Sequence, residues 1–204
     1  MNLEQRSDEQ LMLAFAQGEV PAFDELFLRY WEKLRRFFIR RLDERSRAEE
    51  LAQDTFLAVF RAASRYEPRA LFRTYLYAIA LRVLRAERRR DGVRALFLLL
   101  NPGREPVVPH RSDDAMWIRQ ALERLPAKDR EVLMLREYDE LSYAEIAAVL
   151  KMRLNTVRSK LFRARHSRGH SPRLERACRI QAFVFDVQLL QASLSTAPRL
   201  PTRY

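Results

Sequence analysis

Only one cysteine, Cys178, occurs in the 204 residues, with four glycines and three histidines. A single thiol excludes an internal disulfide framework and any zinc site built from cysteines of one chain. Few glycines, and no stretch that alternates apolar and polar residues, argue against a sheet-rich fold. The longest apolar run, Leu96 to Leu100, falls far short of the roughly 20 residues a membrane-spanning helix needs. Met1 to Arg6 is polar, so no membrane segment is expected and the cytoplasm is the expected compartment. Signatures of enzymes are missing as well. There is no Gly-rich phosphate loop, no Ser/His/Asp grouping, and no carboxylate cluster beyond helix caps and Asp113-Asp114. No enzymatic activity and no cofactor are expected. His166, His170 and Cys178 share one segment, but their spacing closes no tetrahedron, so no metal site is expected either.

Positive charge is what the chain has in excess. Its formal net charge is +11, with 48% hydrophobic and 32% charged residues. That balance favours a polyanionic partner on a folded, helical frame. The excess is concentrated: Lys151, Arg153, Arg158, Lys160, Arg163, Arg165, Arg168 and Arg173 follow one another with no acid among them. The same stretch reads as two short helices around a tight turn. Ser142 with Glu145 makes a capping box, Leu141 can staple onto Ile146, and Ile146, Val149 and Leu150 share a face. Asn155 is a second N-cap candidate, opening a helix with Val157, Leu161 and Ala164 on one side. Arg158, Ser159, Phe162 and Arg163 occupy the other. This is the layout of a helix-turn-helix, whose second helix enters the DNA major groove.

Elsewhere the pattern is helical throughout. Ser7 with Gln10 caps a helix over about Asp8 to Gln17, with Leu11, Leu13, Ala14 and Phe15 apolar and Gly18 at its end. Pro21 suits the first turn of a helix to about Arg41, carrying Phe23, Leu26, Phe27, Tyr30, Leu34, Phe37 and Phe38 at helical spacing. Ser46 with Glu49 forms another capping box, before a face of Leu51, Thr55, Ala58 and Ala62 flanked by Leu57 and Phe60. Pro68 interrupts the pattern, and a fourth helix spans Leu71 to Arg90. From Asp91 to Arg111, Gly92, Pro102, Gly103, Pro106 and Pro109 predict a linker. Within it, Ala95 to Leu100 reads either as a docked helical extension or as a partner contact. Ser112 then caps a helix over Asp113 to about Arg124, and Ala127 to Tyr138 leads into the helix-turn-helix. After His166, Gly169 and Pro172 break the pattern, and the remainder reads as an accessory extension. The fold class is all-α: two small helical domains, 7–90 and 112–166, joined by a linker over 91–111 and followed by an extension over 167–204.

Residues 125–165, LPAKDREVLMLREYDELSYAEIAAVLKMRLNTVRSKLFRAR, resemble the second DNA-binding region of bacterial sigma factors of the extracytoplasmic-function group. Upstream, AEELAQDTFLAVFRA and LFRTYLYAIA resemble that group's first conserved domain. The resemblance covers about Ser7 to Arg90 and Met116 to Arg165, with both blocks in the family's order. It implies a sigma region 2-like bundle and a region 4-like helix-turn-helix. It also implies core RNA polymerase and promoter DNA as partners, and an anti-sigma protein that masks these surfaces.

On that resemblance Glu49, Leu51, Gln53, Asp54 and Phe56 match the polymerase-docking positions, although Leu51 and Phe56 also suit an ordinary hydrophobic core. Asp54 stands where glutamate is more usual. Tyr66, Arg69, Phe72, Arg73, Tyr75, Tyr77, Arg82 and Arg85 match or flank the element that reads and melts the −10 region. Aromatic faces and guanidinium groups there can return part of the stacking that melting removes. Tyr75 replaces a more usual tryptophan and keeps a stacking ring. Arg82 replaces a more usual asparagine and can only donate hydrogen bonds, which bears on −10 preference. Arg158, Ser159, Phe162 and Arg163 match the −35-facing positions, with chemistry suited to guanine edges and thymine methyls. Lys151, Arg153, Thr156, Lys160 and Arg165 are expected to hold phosphates or fix register, and Asn155, also expected at the −35 site, stands in place of a glycine and can open the helix. The alternative from another class is an autonomous helix-turn-helix regulator that binds DNA without polymerase.

Overall fold

A computed structural model describes residues 3–42, 44–100 and 122–166 of the chain, with side chains for all of these except 94–100 and His166. The expected linker beyond Leu100, most of the helix expected from Asp113, and the extension after His166 lie outside the described residues. Those residues form seven α-helices and two short 3-10 turns, with no strand among them. They divide into two compact units, one of residues 3–100 with 144–153 and one of 122–143 with 154–166.

In the first unit, α1 spans Asp8–Ala16 and is opened by a complete capping box. The Gln10 N–H donates to Ser7 Oγ (3.2 Å), and the Ser7 N–H donates to Gln10 Oε1 (2.9 Å). Gly18, at φ +100°, turns the chain into α2, Val20–Ile39, with Pro21 in its first turn. Helix α3 covers Arg45–Ala62 and α4 covers Phe72–Leu100, with a 3-10 turn at Ala63–Arg65 between them. Successive helices pack on one another. Leu11, Met12, Leu26, Leu34, Phe37, Phe38, Leu51, Phe72, Leu76 and Leu84 are almost fully buried between them. Each such side chain contributes about 1.5–3 kcal/mol of hydrophobic stabilisation.

Buried polar groups fix how the helices meet. Arg29 donates to Asp8 Oδ1 (2.8 Å) and to Glu25 Oε1 (2.7 Å), joining α2 to α1, and Tyr30 also donates to Asp8. Burial foremost, with the bond to Asp8, drives the Tyr30 hydroxyl far above its ordinary pKa, so it remains a donor. Glu9 accepts from the Phe72 N–H (2.7 Å), placing a carboxylate of α1 on the N-terminus of α4. Arg47 of α3 donates through Nε (2.7 Å) and Nη2 (2.6 Å) to the buried carboxylate of Glu87 in α4.

Three expectations are corrected here. Leu13 lies on the solvent side of α1, and Met12 takes the buried place. The capping box at Ser46 does not form, because α3 begins at Arg45 with Glu44 as its N-cap, two residues ahead of the expected cap. Ser46 Oγ donates instead to Glu44 Oε1 (2.7 Å). Helix α4 does not stop at Arg90 but runs on through Gly92 to Leu100, so the linker does not begin at Asp91. An interior glycine weakens a helix by only about 1 kcal/mol.

In the second unit α5, Ala127–Glu137, packs against α7, Leu154–His166. Val132, Leu133 and Leu135 of α5 and Val157, Leu161 and Ala164 of α7 are buried. Helix α6, Tyr143–Leu150, whose residues from Ala144 onward belong to the first unit, buries Ile146 and Val149. Lys151 takes the left-handed conformation (φ 53°), and the Met152 N–H donates to the Ala147 carbonyl (2.8 Å), which ends α6.

Candidate nucleic-acid interface

Helix α7 has the two faces its periodicity predicts. Val157, Leu161 and Ala164 are buried, whereas Arg158, Ser159, Phe162 and Arg163 are exposed and line one shallow surface depression. Phe162 is 63% exposed, a large apolar ring on a strongly basic helix. Arg153, Asn155 and Thr156 are exposed at the start of the same helix. Asn155 is not its cap, because α7 begins at Leu154. Its carbonyl accepts from Ser159 Oγ (2.9 Å), and its side-chain oxygen accepts from Arg158 Nη1 (3.4 Å).

Two cations expected on phosphates are turned inward. Lys160, 13% exposed, donates from Nζ to Oδ1 of the buried Asp129 (2.6 Å). Arg165 donates from Nη2 to Glu137 Oε1 (2.7 Å). Both join α7 to α5 through ion pairs. Their partners lie 31 and 28 residues upstream. Asp129 itself escapes sequence reading, since an acid three residues after Pro126 looks like ordinary first-turn placement.

Helix α4 and the turn before it sort the second group of expected residues. Phe72 and Tyr77 are buried in the bundle, where their rings meet Tyr30 and Phe37 edge-on (both 5.5 Å), so neither is placed to touch DNA. Tyr66 is buried too, its ring 5.2 Å from that of Tyr75. Burial foremost, then the negative charge of Glu9, pushes the Tyr66 hydroxyl up to about 12, so it stays neutral. Tyr75 is half-buried and Arg73 is too, whereas Arg69, Arg82 and Arg85 are exposed. Burial raises the Tyr75 hydroxyl, and the positive charges of Arg82 and Arg65 act against that shift. Tyr75, Arg82, Arg85 and Arg89 recur at i, i+7, i+10 and i+14, one basic stripe along α4 with a tyrosine at its head.

On α3, Leu51 and Phe56 are buried and serve the bundle; the expectation that they contact a partner is corrected. Gln53 and Asp54 are exposed, and Glu49 is partly so, with Arg35 Nη1 at 3.5 Å. Leu57 (44% exposed) and Phe60 (51%) share that outer side. Phe60 closes a row of rings, 5.1 Å from Phe15 and 5.5 Å from Phe23. Leu57 and Phe60 fell beside the apolar stripe in the sequence, and that displacement was the available signal for their exposure.

Comparison with known proteins identifies the family. The family model "Sigma-70 region 2" matches residues 26–93, and "Sigma-70, region 4" matches 115–166. The RNA polymerase sigma-H factor of Pseudomonas aeruginosa is 32% identical over 183 residues, covering 81% of this chain and 93% of that protein. The ECF RNA polymerase sigma-E factor of Escherichia coli is 31% identical over 179 residues, covering 80% and 93%. Among solved structures, CnrH in complex with the cytosolic domain of CnrY superposes with a TM-score of 0.58 at 26% identity, covering 78% of this chain and 93% of that one. The sigma factor RpoE of Bartonella quintana, solved with the anti-sigma factor NepR, shares the fold with a TM-score of 0.59 at 24% identity, covering 78% and 97%. The chain belongs to the extracytoplasmic-function group of the sigma-70 family, the RNA polymerase sigma factors that act in transcription initiation.

Proposed function

We propose that this sigma factor divides promoter recognition between its two domains, with residues 7–90 taking core RNA polymerase and the −10 element and residues 112–166 taking the −35 element. Helix α7 reads the −35 major groove with Arg158, Ser159, Phe162 and Arg163, while Arg153, Asn155 and Thr156 set register on the backbone. The −10 strand is captured at Tyr75, with Arg65, Arg69, Arg82 and Arg85 drawing its phosphates and Arg73 beside them. Core polymerase docks on the outer side of α3, at Glu49, Gln53, Asp54, Leu57 and Phe60. The observation that carries this reading is the exposed face of α7, where an arginine pair, a hydroxyl and a solvent-exposed phenylalanine share one depression. No helix among the described residues is long and apolar enough to cross a membrane, which suits a role beside polymerase in the cytoplasm. No chemical step is assigned to the chain, which acts by binding. An anti-sigma protein is proposed to cover the same surfaces; RpoE, which shares the fold, was solved in complex with the anti-sigma factor NepR.

Run-off transcription with purified core polymerase tests the proposal. Promoter-specific transcripts that depend on this chain are the expected result. Tight, selective duplex binding by the chain alone, with no transcript when core polymerase is added, would show an autonomous regulator instead.

A further inference from the structure

Asp129 lies on α5, outside the face proposed to read DNA, yet it is 4% exposed and touches that face from behind. Its two oxygens are divided between two cations of α7. Oδ1 accepts from Lys160 Nζ at 2.6 Å, and Oδ2 accepts from Arg163 Nε at 3.3 Å. Lys160, 13% exposed, is held in this pair. Arg163 is different: its side chain is 61% exposed and lines the depression with Arg158, Ser159 and Phe162.

We propose that Asp129 is a positioning residue for base recognition, holding the Nε edge of Arg163 so that the Nη edge is presented to a guanine. The inference rests on α7 being the −35-reading helix. An arginine side chain has several rotatable bonds, and ordering it on contact with DNA lowers affinity and blurs direction. A guanidinium held at Nε by a buried carboxylate loses that freedom on folding, before DNA arrives. Its terminal nitrogens then form the planar fork that suits the O6/N7 edge of guanine. Lys160 completes the arrangement by neutralising the same carboxylate, so Arg163 keeps a net positive charge toward the groove. One carboxylate thus fixes both the seat of α7 and the aim of one of its readers. Asp129 touches no base.

The test uses the full chain assembled with core polymerase on a promoter library with a randomised upstream element, scored by sequencing transcripts. Arg163→Ala should erase preference at one position, by roughly fivefold or more. Asp129→Asn should weaken preference at that same position severalfold and leave the others unchanged, and Asp129→Glu should restore part of it. A uniform loss across all positions, or full preference retained in Asp129→Asn, would overturn the proposal. Should Arg163→Ala leave every preference intact, the fault lies with the reading of α7 itself. If Asp129→Asn fails to fold, Asp129→Asn/Lys160→Met removes the stranded buried cation and the same comparison is made. In the wild-type chain without DNA, the Arg163 Nε–H should give a sharp, slowly exchanging resonance that is lost in Asp129→Asn. Rapid exchange in the wild type would overturn the pinning directly.

Discussion

At the scale of single residues, Phe72, Tyr75 and Tyr77 at the start of α4 differ in how far the bundle covers them. Phe72 and Tyr77 are buried; Tyr75, one turn of sequence between them, is only half so. Phe72→Ala should therefore lower the unfolding free energy by about 3–5 kcal/mol, read from denaturant melts, because it leaves a cavity in the core. Tyr75→Ala should spare association with core polymerase yet slow promoter opening, read as permanganate reactivity of unpaired thymines. Opening at the parental rate would remove Tyr75 from the strand-capture role. The tyrosine hydroxyls themselves should show no titration of function below about pH 10, since Tyr66 sits near 12 and Tyr75 is also raised. Their folded-state pKa values lie above the unfolded value. Stability linked to them is therefore fully present below the unfolded pKa and is lost only as pH climbs through the folded one.

At the scale of elements, two glycines give opposite expectations. Gly18 ends α1 at φ +100°, where a side chain is strained although space is open, so Gly18→Ala should destabilise by at least about 1 kcal/mol. Gly92 lies inside α4 with ordinary dihedrals, and an added Cβ would meet nothing within 4 Å. Gly92→Ala should therefore stabilise the helix by about 0.5–1 kcal/mol, read as a higher melting temperature. No gain there would contradict a continuous α4. The pair Arg47–Glu87 ties α3 to α4 behind the basic stripe. Replacing Arg47 with methionine removes both of these bonds from a buried carboxylate, which keeps Arg90 at 3.7 Å. It should cost about 3 kcal/mol, the low end for a buried pair because the arginine is still partly wet.

At the scale of the whole molecule, charge governs encounter with DNA. A net charge of +11 makes association steep in salt. Engagement of about four to six phosphates gives a log–log slope of about −4 to −5 for promoter binding by the holoenzyme. Arg85→Ala should lower that slope by about one while leaving sequence preference intact, whereas Arg163→Ala should change preference more than slope. An unchanged slope in Arg85→Ala would remove the α4 stripe from the phosphate contacts. Lys160→Met should barely alter the slope, because Lys160 is already committed to Asp129.

Much of this was legible in the chain itself. Helical spacing, the Ser7–Gln10 capping box, Gly18 and the Val157–Leu161–Ala164 stripe are local features, set by the 3.6-residue turn and by groups a few positions apart. The family could be recognised from short blocks for the same reason. What no local rule could decide was which arc of each helix meets its neighbours. That choice buried Leu51, Phe56, Tyr66, Phe72 and Tyr77, and left Leu57, Phe60 and Tyr75 toward the surface. Nor could spacing tell a cation that awaits phosphate from one already satisfied. Lys160 and Arg165 look like their neighbours along α7 until α5 brings Asp129 and Glu137 against them. Ion pairs between residues that distant in sequence exist only once the helices have packed, because packing alone sets the separation on which Coulomb attraction depends.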